Sequence, residues 1–209
     1  SHKHSYGLGR AEIVAAWLSS LLMIVISLAV IIEAIHRINS PSHVKGGTVM
    51  VIAFIGMVIN LLVAWLLARS ERTLNIRAAL LHVMSDVLGS LAALVSGAII
   101  YFTGWYAIDP ILSILIGVLI MISSLRLLKE SLLVLMEGVP GHIDYKDVSA
   151  AMKNCQDIKD VHDLHIWTLS SGKIALSAHI DIHELSAWTD ILKQINEILA
   201  TKFAITHVT

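Results

Sequence analysis

Four apolar runs dominate the chain up to Leu125: Ile13–Ile32, Thr48–Ala68, Ala78–Thr103 and Trp105–Leu125. Each reaches the roughly 20 residues that a helix needs to cross a hydrocarbon core at about 1.5 Å rise per residue. A backbone amide in lipid finds no water, so every run must satisfy its own N–H and C=O groups, which selects helix over open strand. The links are short and carry breakers or interface residues: Asn39-Ser40-Pro41, Arg69-Ser70-Glu71-Arg72 and Gly104-Trp105-Tyr106. Residues 1–136 are therefore expected to form a multi-pass helical membrane bundle uninterrupted by any soluble domain.

Charge is distributed to match. Residues 11–135 hold thirteen Asp, Glu, Lys or Arg, whereas the shorter tail 136–209 holds sixteen, so the chain faces lipid first and water afterwards. With 56% hydrophobic and 15% charged residues a purely soluble protein is excluded. A net charge of -1 without a basic run excludes nucleic acid as a partner, because phosphates need clustered Lys and Arg. Lys3, Arg10, Arg69, Arg72, Arg77, Arg126 and Lys129 fall on one side of the spans, and Arg37 and Lys45 on the other. Basic residues are retained on the cytoplasmic side, which predicts an integral membrane protein whose tail is cytoplasmic. The lone Cys155 can form no intrachain disulfide and is expected to be a small buried apolar residue. The opening Ser1-His2-Lys3-His4 has neither an initiator Met nor a targeting pattern, as expected of a piece of a longer protein.

From Glu137 to Thr209 the pattern shortens. Asp144 can cap a helix running to about Cys155, and Ser186 can cap another carrying Trp188, Ile191, Ile195 and Leu199. Between them Ile174, Leu176, Ala178, Ile180 and Ile182 alternate with Ala175, Ser177, His179, Asp181 and His183, the period of a half-buried strand. Val161–Leu169 is its hairpin partner across Ser170-Ser171-Gly172, and a last strand starts at Ile205. Helix, strand, strand, helix, strand predicts an α+β domain of ferredoxin-like type, cut short at its last strand.

Two groups of residues carry chemistry. His82 and Asp86 lie four apart in the third run, one helical turn from each other, and are the only ionisable pair deep in a span. A charged Asp at mid-bilayer costs roughly 2.5–3.5 kcal/mol, so it persists only beside a partner or a watered path. A structural hydrogen bond between helices is the competing reading, but Ser, Thr or Asn serve that purpose more cheaply. Imidazole with carboxylate suits zinc, and two ligands do not close a tetrahedral site. Asn60, Asp109, Glu33 and His36 are weak candidates for the rest. Gly89, Ser90, Ala93 and Gly97 read as tight helix packing.

In the tail, His162, His165, His179, His183 and His207 crowd a small domain that also holds Asp163 and Asp181. Alternation puts His162 and His165 on opposite parity, so a single site needs a bulge or a second subunit. His162, His179 and His207 are the expected metal ligands, with His165 and His183 behind them. His4 is a further candidate, in a segment that also reads as a solvated loop.

These residues resemble the cation diffusion facilitator family, in particular its bacterial zinc transporters. The matches are Ser5-Tyr6-Gly7-Leu8-Gly9-Arg10-Ala11-Glu12 at the start of the first run, His82-x-x-x-Asp86, Asp109-Pro110-Ile111-Leu112-Ser113, Glu137-Gly138-Val139-Pro140 and Val161-His162-Asp163-Leu164-His165-Ile166-Trp167. The resemblance covers nearly the whole chain. It implies six spans, two of them before Ser1, and a transport site completed by ligands on one of those two. It also implies a homodimer joined through the cytoplasmic domain, in a bacterial inner membrane, that exchanges Zn(II) for protons. Leu8 stands where some relatives carry a further His of a loop metal site that would include His4. The expected function is secondary active export of zinc or another divalent cation. A membrane-embedded metal-dependent enzyme and a non-transporting metal-sensing subunit are the alternatives. A zinc protease is disfavoured by the lack of His-Glu-x-x-His, and a bis-His haem by the lone deep histidine.

Overall fold

The computed structural model describes residues 9–39, 46–70, 73–170 and 173–209. His4 and the Ser171-Gly172 turn lie outside these residues. The chain divides into a helical unit, 15–129, and a second unit comprising 130–209 and the start of the first helix.

Four helices carry the apolar runs: α1 (Gly9–Asn39), α2 (Gly46–Ala68), α3 (Leu74–Thr103) and α4 (Ile108–Leu135). All four are long and apolar enough to cross a membrane. They keep large aliphatic side chains such as Leu62 and Leu66 on their outer faces, where lipid is the natural solvent. The helices overrun the apolar runs because a helix stops at a breaker or cap, not where hydropathy falls. Thr73 caps α3, its Oγ1 accepting from the Ile76 N–H at 3.3 Å. Gly104 ends α3 in the left-handed region at φ 69, with its N–H on the Ile100 carbonyl. The fourth span accordingly begins at Ile108, not at the Trp105 expected from hydropathy: residues 105–107 belong to the turn, and an apolar Trp in a turn is invisible to a hydropathy window.

α2 and α3 form an antiparallel hairpin, with Gly56 facing Ser90 close to the middle of both. α1 and α4 meet antiparallel. Arg37 near the end of α1 bonds Asp109 at the start of α4, and a Cβ on Gly117 would stand 2.7 Å from Ile31 Cγ1. The approach is close because the buried seam is built of small residues at sevenfold spacing, Ser20, Ser27 and Ala34 on α1 with Gly117 and Ser124 on α4. Ser20 and Ser27 return their hydroxyls to the Ala16 and Ile24 carbonyls of their own helix, so these two positions leave no unpaired hydroxyl on the seam.

The second unit contains α5 (Tyr145–Lys153), β1 (Ile158–Ser170), β2 (Lys173–Ile182), a 3₁₀ turn (Leu185–Ala187), α6 (Trp188–Phe203) and β3 (His207–Val208). This is the expected α+β order. Asp144 caps α5, accepting from the Lys146 N–H at 2.7 Å. β1 and β2 are antiparallel, and α6 returns the chain so that β3 pairs parallel to β2. Val148, Met152, Leu164, Ile166, Ile174, Leu176 and the α6 stripe Ile191, Ile195, Leu199 form one core. Two local expectations are corrected. Ser186 bonds the Glu184 carboxylate within the 3₁₀ turn, so it does not cap α6, which starts at Trp188. Ile205 is core and donates its N–H to the Leu199 carbonyl, so the last strand begins two residues later.

Candidate metal sites

The helical spacing places His82 and Asp86 on one face of α3, with His82 Nε2 3.7 Å from Asp86 Oδ2. That is too long for a hydrogen bond and close to the roughly 3.3 Å edge of a tetrahedron with zinc–ligand bonds of about 2.0–2.1 Å. Both side chains are about half exposed and open into a cavity of about 660 Å³ whose wall is drawn from all four helices. Ser85 lines the cavity as well, its Oγ donating to the Leu81 carbonyl at 2.7 Å. On the other side of the imidazole, His82 Nδ1 lies 3.1 Å from the Met23 Sδ of α1. Asn60 also lines the cavity.

Asp109 lines the cavity too, but its carboxylate is engaged. Arg37 reaches it at 3.1 Å and Ser96 Oγ at 3.2 Å, while Arg37 Nε stands 3.6 Å from Glu33. A cation would have to displace a guanidinium to use Asp109, whereas His82 and Asp86 carry no such competitor among the described residues.

In the second unit, His162 on β1 stands directly opposite His179 on β2, ring centroids 5.5 Å apart. The register slips between His162 and His165, where Asp163 takes φ 49. A bulge is one of the two ways a single site can form, the other being a second subunit. One extra residue returns His165 to the His162 face and turns Asp163 toward it as well. Asp163 Oδ2 comes within 3.3 Å of His179 Nδ1, and ligand atoms of His162, Asp163 and His179 all lie within 4.8 Å of one another. Two imidazoles and a carboxylate fit Zn(II), with one position left open. Asp181 stands further off, 3.9 Å from His162 Nδ1.

The other histidines are not brought into this group. His165 pairs with Ser177 and borders a separate hollow with Glu137, Tyr145 and Trp167. His183 follows the end of β2, with its N–H on the Asp157 carbonyl. His207 pairs with Ala175, four residues and roughly 13 Å along β2 from His179 at about 3.3 Å per residue. Asp163, which the sequence marked only as an acidic neighbour, occupies the third place that His207 was expected to fill. A regular strand would have pointed it away from His162, and the bulge left no signature in residue type.

Two titrations in this unit are displaced. A hydrogen bond from Lys153, helped by the Val161 backbone N–H, holds the Asp160 carboxyl below its ordinary value. Burial pushes the Cys155 thiol up.

Known proteins match over the whole length. The cation efflux transmembrane domain family matches residues 1–136, and the cytoplasmic domain of cation efflux proteins matches residues 140–209. A cadmium, cobalt and zinc/H(+)-K(+) antiporter of Bacillus velezensis is 40% identical over all of this chain and 68% of that protein. The zinc transporter ZitB of Escherichia coli is 36% identical over 99% of this chain and 67% of its own length. The metal cation efflux system protein CzcD of Cupriavidus metallidurans is 37% identical over 99% of this chain and 66% of its own. Among solved structures, the metal-bound C-terminal domain of a CzcD transporter covers 32% of this chain at 37% identity, with a TM-score of 0.31. The chain thus spans about two thirds of the length of these curated relatives. With a membrane-length helical unit, a cytoplasmic α+β domain and both family matches end to end, the chain belongs to the cation efflux, or cation diffusion facilitator, family of metal-cation transporters.

Proposed function

We propose that the protein is a secondary active transporter that exports Zn(II) from the bacterial cytoplasm across the inner membrane in exchange for protons. The observation that carries this reading is His82 beside Asp86, a neutral donor and a carboxylate at near-tetrahedral separation, opening into a cavity within apolar helices. In this role His82 supplies a lone pair and Asp86 supplies charge to the bound cation. An imidazole binds either a metal or a proton in the physiological range, so the two compete for His82. The relatives' names support zinc, with cadmium and cobalt as further cargo.

The protein works as a homodimer joined through residues 137–209, and that domain holds a regulatory zinc on His162, Asp163 and His179. The domain's family match and the spacing of the three donors support both statements. His207, His165 and His183 join a metal only in separate sites or in one shared with the second subunit, and His4 remains a candidate for a loop site.

Zinc flux into sealed vesicles containing the full-length protein tests the reading. His82→Ala and Asp86→Ala should each abolish flux while the dimer still assembles, because each removes a direct ligand. Wild-type flux from either variant would overturn it.

A further inference from the structure

Met23 is buried on α1, 5% exposed, and its Sδ lies 3.1 Å from His82 Nδ1. A thioether has lone pairs and no hydrogen to give. If Nδ1 also presented a lone pair, the two would repel at this distance, so the contact is attractive only with the proton on Nδ1. The lone pair of His82 then sits on Nε2, the atom that faces Asp86 at 3.7 Å. Ser20 and Ser27, the seam residues flanking Met23, turn their hydroxyls to backbone carbonyls of α1.

We propose that Met23 is a positioning residue for the transported cation, its sulfur holding His82 in the Nδ1–H tautomer and in the orientation that presents Nε2 beside Asp86. The proposal rests on the reading of His82 and Asp86 as cargo ligands. Metal-bound histidines generally donate their second N–H to a fixed acceptor, commonly a carboxylate or a carbonyl. A carboxylate there would add charge and make the ring more basic, tightening its hold on metal and proton alike. A thioether orients the ring without adding charge, which suits a ligand that must release its ion at every turnover. α1 thereby takes part in the site through α3, although it contributes no charged side chain at that level.

The test uses full-length protein at fixed pH, with His162→Ala and His179→Ala in the background to silence the cytoplasmic site, and zinc and cadmium as probes. In the wild type, ¹⁵N shifts of the His82 ring should place the proton on Nδ1. Met23→Leu conserves volume but removes the acceptor. It should lower zinc and cadmium affinity alike by about 10–100-fold and let both tautomers appear. Met23→Gln, whose carbonyl can accept the same N–H, should restore the single tautomer and most of the affinity. A proton on Nε2 in the wild type, or unchanged affinity in Met23→Leu, would overturn the proposal. So would a loss confined to cadmium, which would make the sulfur a soft ligand. Should Met23→Leu fail to fold, the wild-type ring shifts decide alone. His82→Ala separates the two levels: if it binds zinc normally the cargo-ligand reading itself has failed, and if it abolishes binding while Met23→Leu does not weaken it, only the role of Met23 has.

Discussion

In a regular strand Asp163 would face away from His162; at φ 49 it faces the same imidazoles. Asn tolerates the left-handed region at least as well as Asp, so Asp163→Asn keeps the bulge and removes only the charge. Zinc affinity of the cytoplasmic site should then fall about tenfold or more, with about 1.4 kcal/mol for each factor of ten. The melting temperature in chelator should not change. Calorimetric titration of the full-length protein, with Asp86→Ala in the background to silence the transport site, measures both. Unchanged affinity would remove Asp163 from the ligand set. Cys155 gives a second prediction at this scale. It is buried, and burial raises its thiol pKa, so at pH 7–8 it stays protonated and shielded. Alkylation should be slow in the folded protein and rapid after denaturation; fast labelling of the native state would contradict its placement. What residue type and spacing could reveal at this scale was real but partial. The pairing of His82 with Asp86 follows from a spacing of four, whereas the meeting of His162 with His179 depends on the register shifts of β1 at 168–170 and 162–165, which spacing does not show. Asp163 was hidden by a backbone dihedral. Met23 was hidden by context, because a thioether in an apolar run looks the same whether it faces lipid or an imidazole.

Among the elements, the α1–α4 contact makes the sharpest demand on sequence. A Cβ at Gly117 would stand 2.7 Å from Ile31 Cγ1 and 3.4 Å from the Ser27 carbonyl oxygen. Gly117→Ala should therefore cost about 1–3 kcal/mol through overpacking, unless Ile31 gives way. Ile31→Ala in the same chain removes the obstructing Cγ1 together with Cδ1 and should recover part of the loss, a coupling expected of residues in contact. Thermal unfolding of the two single variants and the double variant in detergent measures it; strictly additive effects would mean that the helices do not meet there. The existence of the four helices followed from hydropathy, because lipid leaves the backbone no alternative. Their ends did not, since these depend on single groups: Thr73 Oγ1 at the start of α3 and the left-handed Gly104 at its end. The α6 helix shows the same division. Its buried stripe Ile191, Ile195, Leu199 was legible from periodicity, whereas its first turn was not, because a 3₁₀ segment takes Ser186 out of the capping position.

At the scale of the whole molecule the question is whether cation movement is coupled to protons, and the cavity frames the answer. Among the described residues that line it His82 is the one imidazole, while Asp109 is tied to Arg37 and Ser96. A protonated imidazole has no lone pair for zinc and repels it, so zinc arriving at His82 must displace whatever proton is there. If the site opens to one side at a time, each proton bound outside is carried inward as zinc leaves. An inward proton gradient then drives zinc out, and a gradient of one pH unit contributes about 1.4 kcal/mol per proton exchanged, enough to sustain about a tenfold zinc gradient for each. A channel built on the same ligands would let zinc run down its own gradient and would be indifferent to pH except through affinity. Simultaneous recording of lumen pH and lumen zinc in vesicles holding the full-length protein distinguishes them. The expected outcome is a pH change that accompanies zinc entry and reverses when the zinc gradient is reversed, together with zinc accumulation against its gradient when only a pH difference is imposed. Zinc flux that never exceeds equilibrium and moves no protons at any imposed gradient would rule out exchange while leaving His82 and Asp86 as cation ligands.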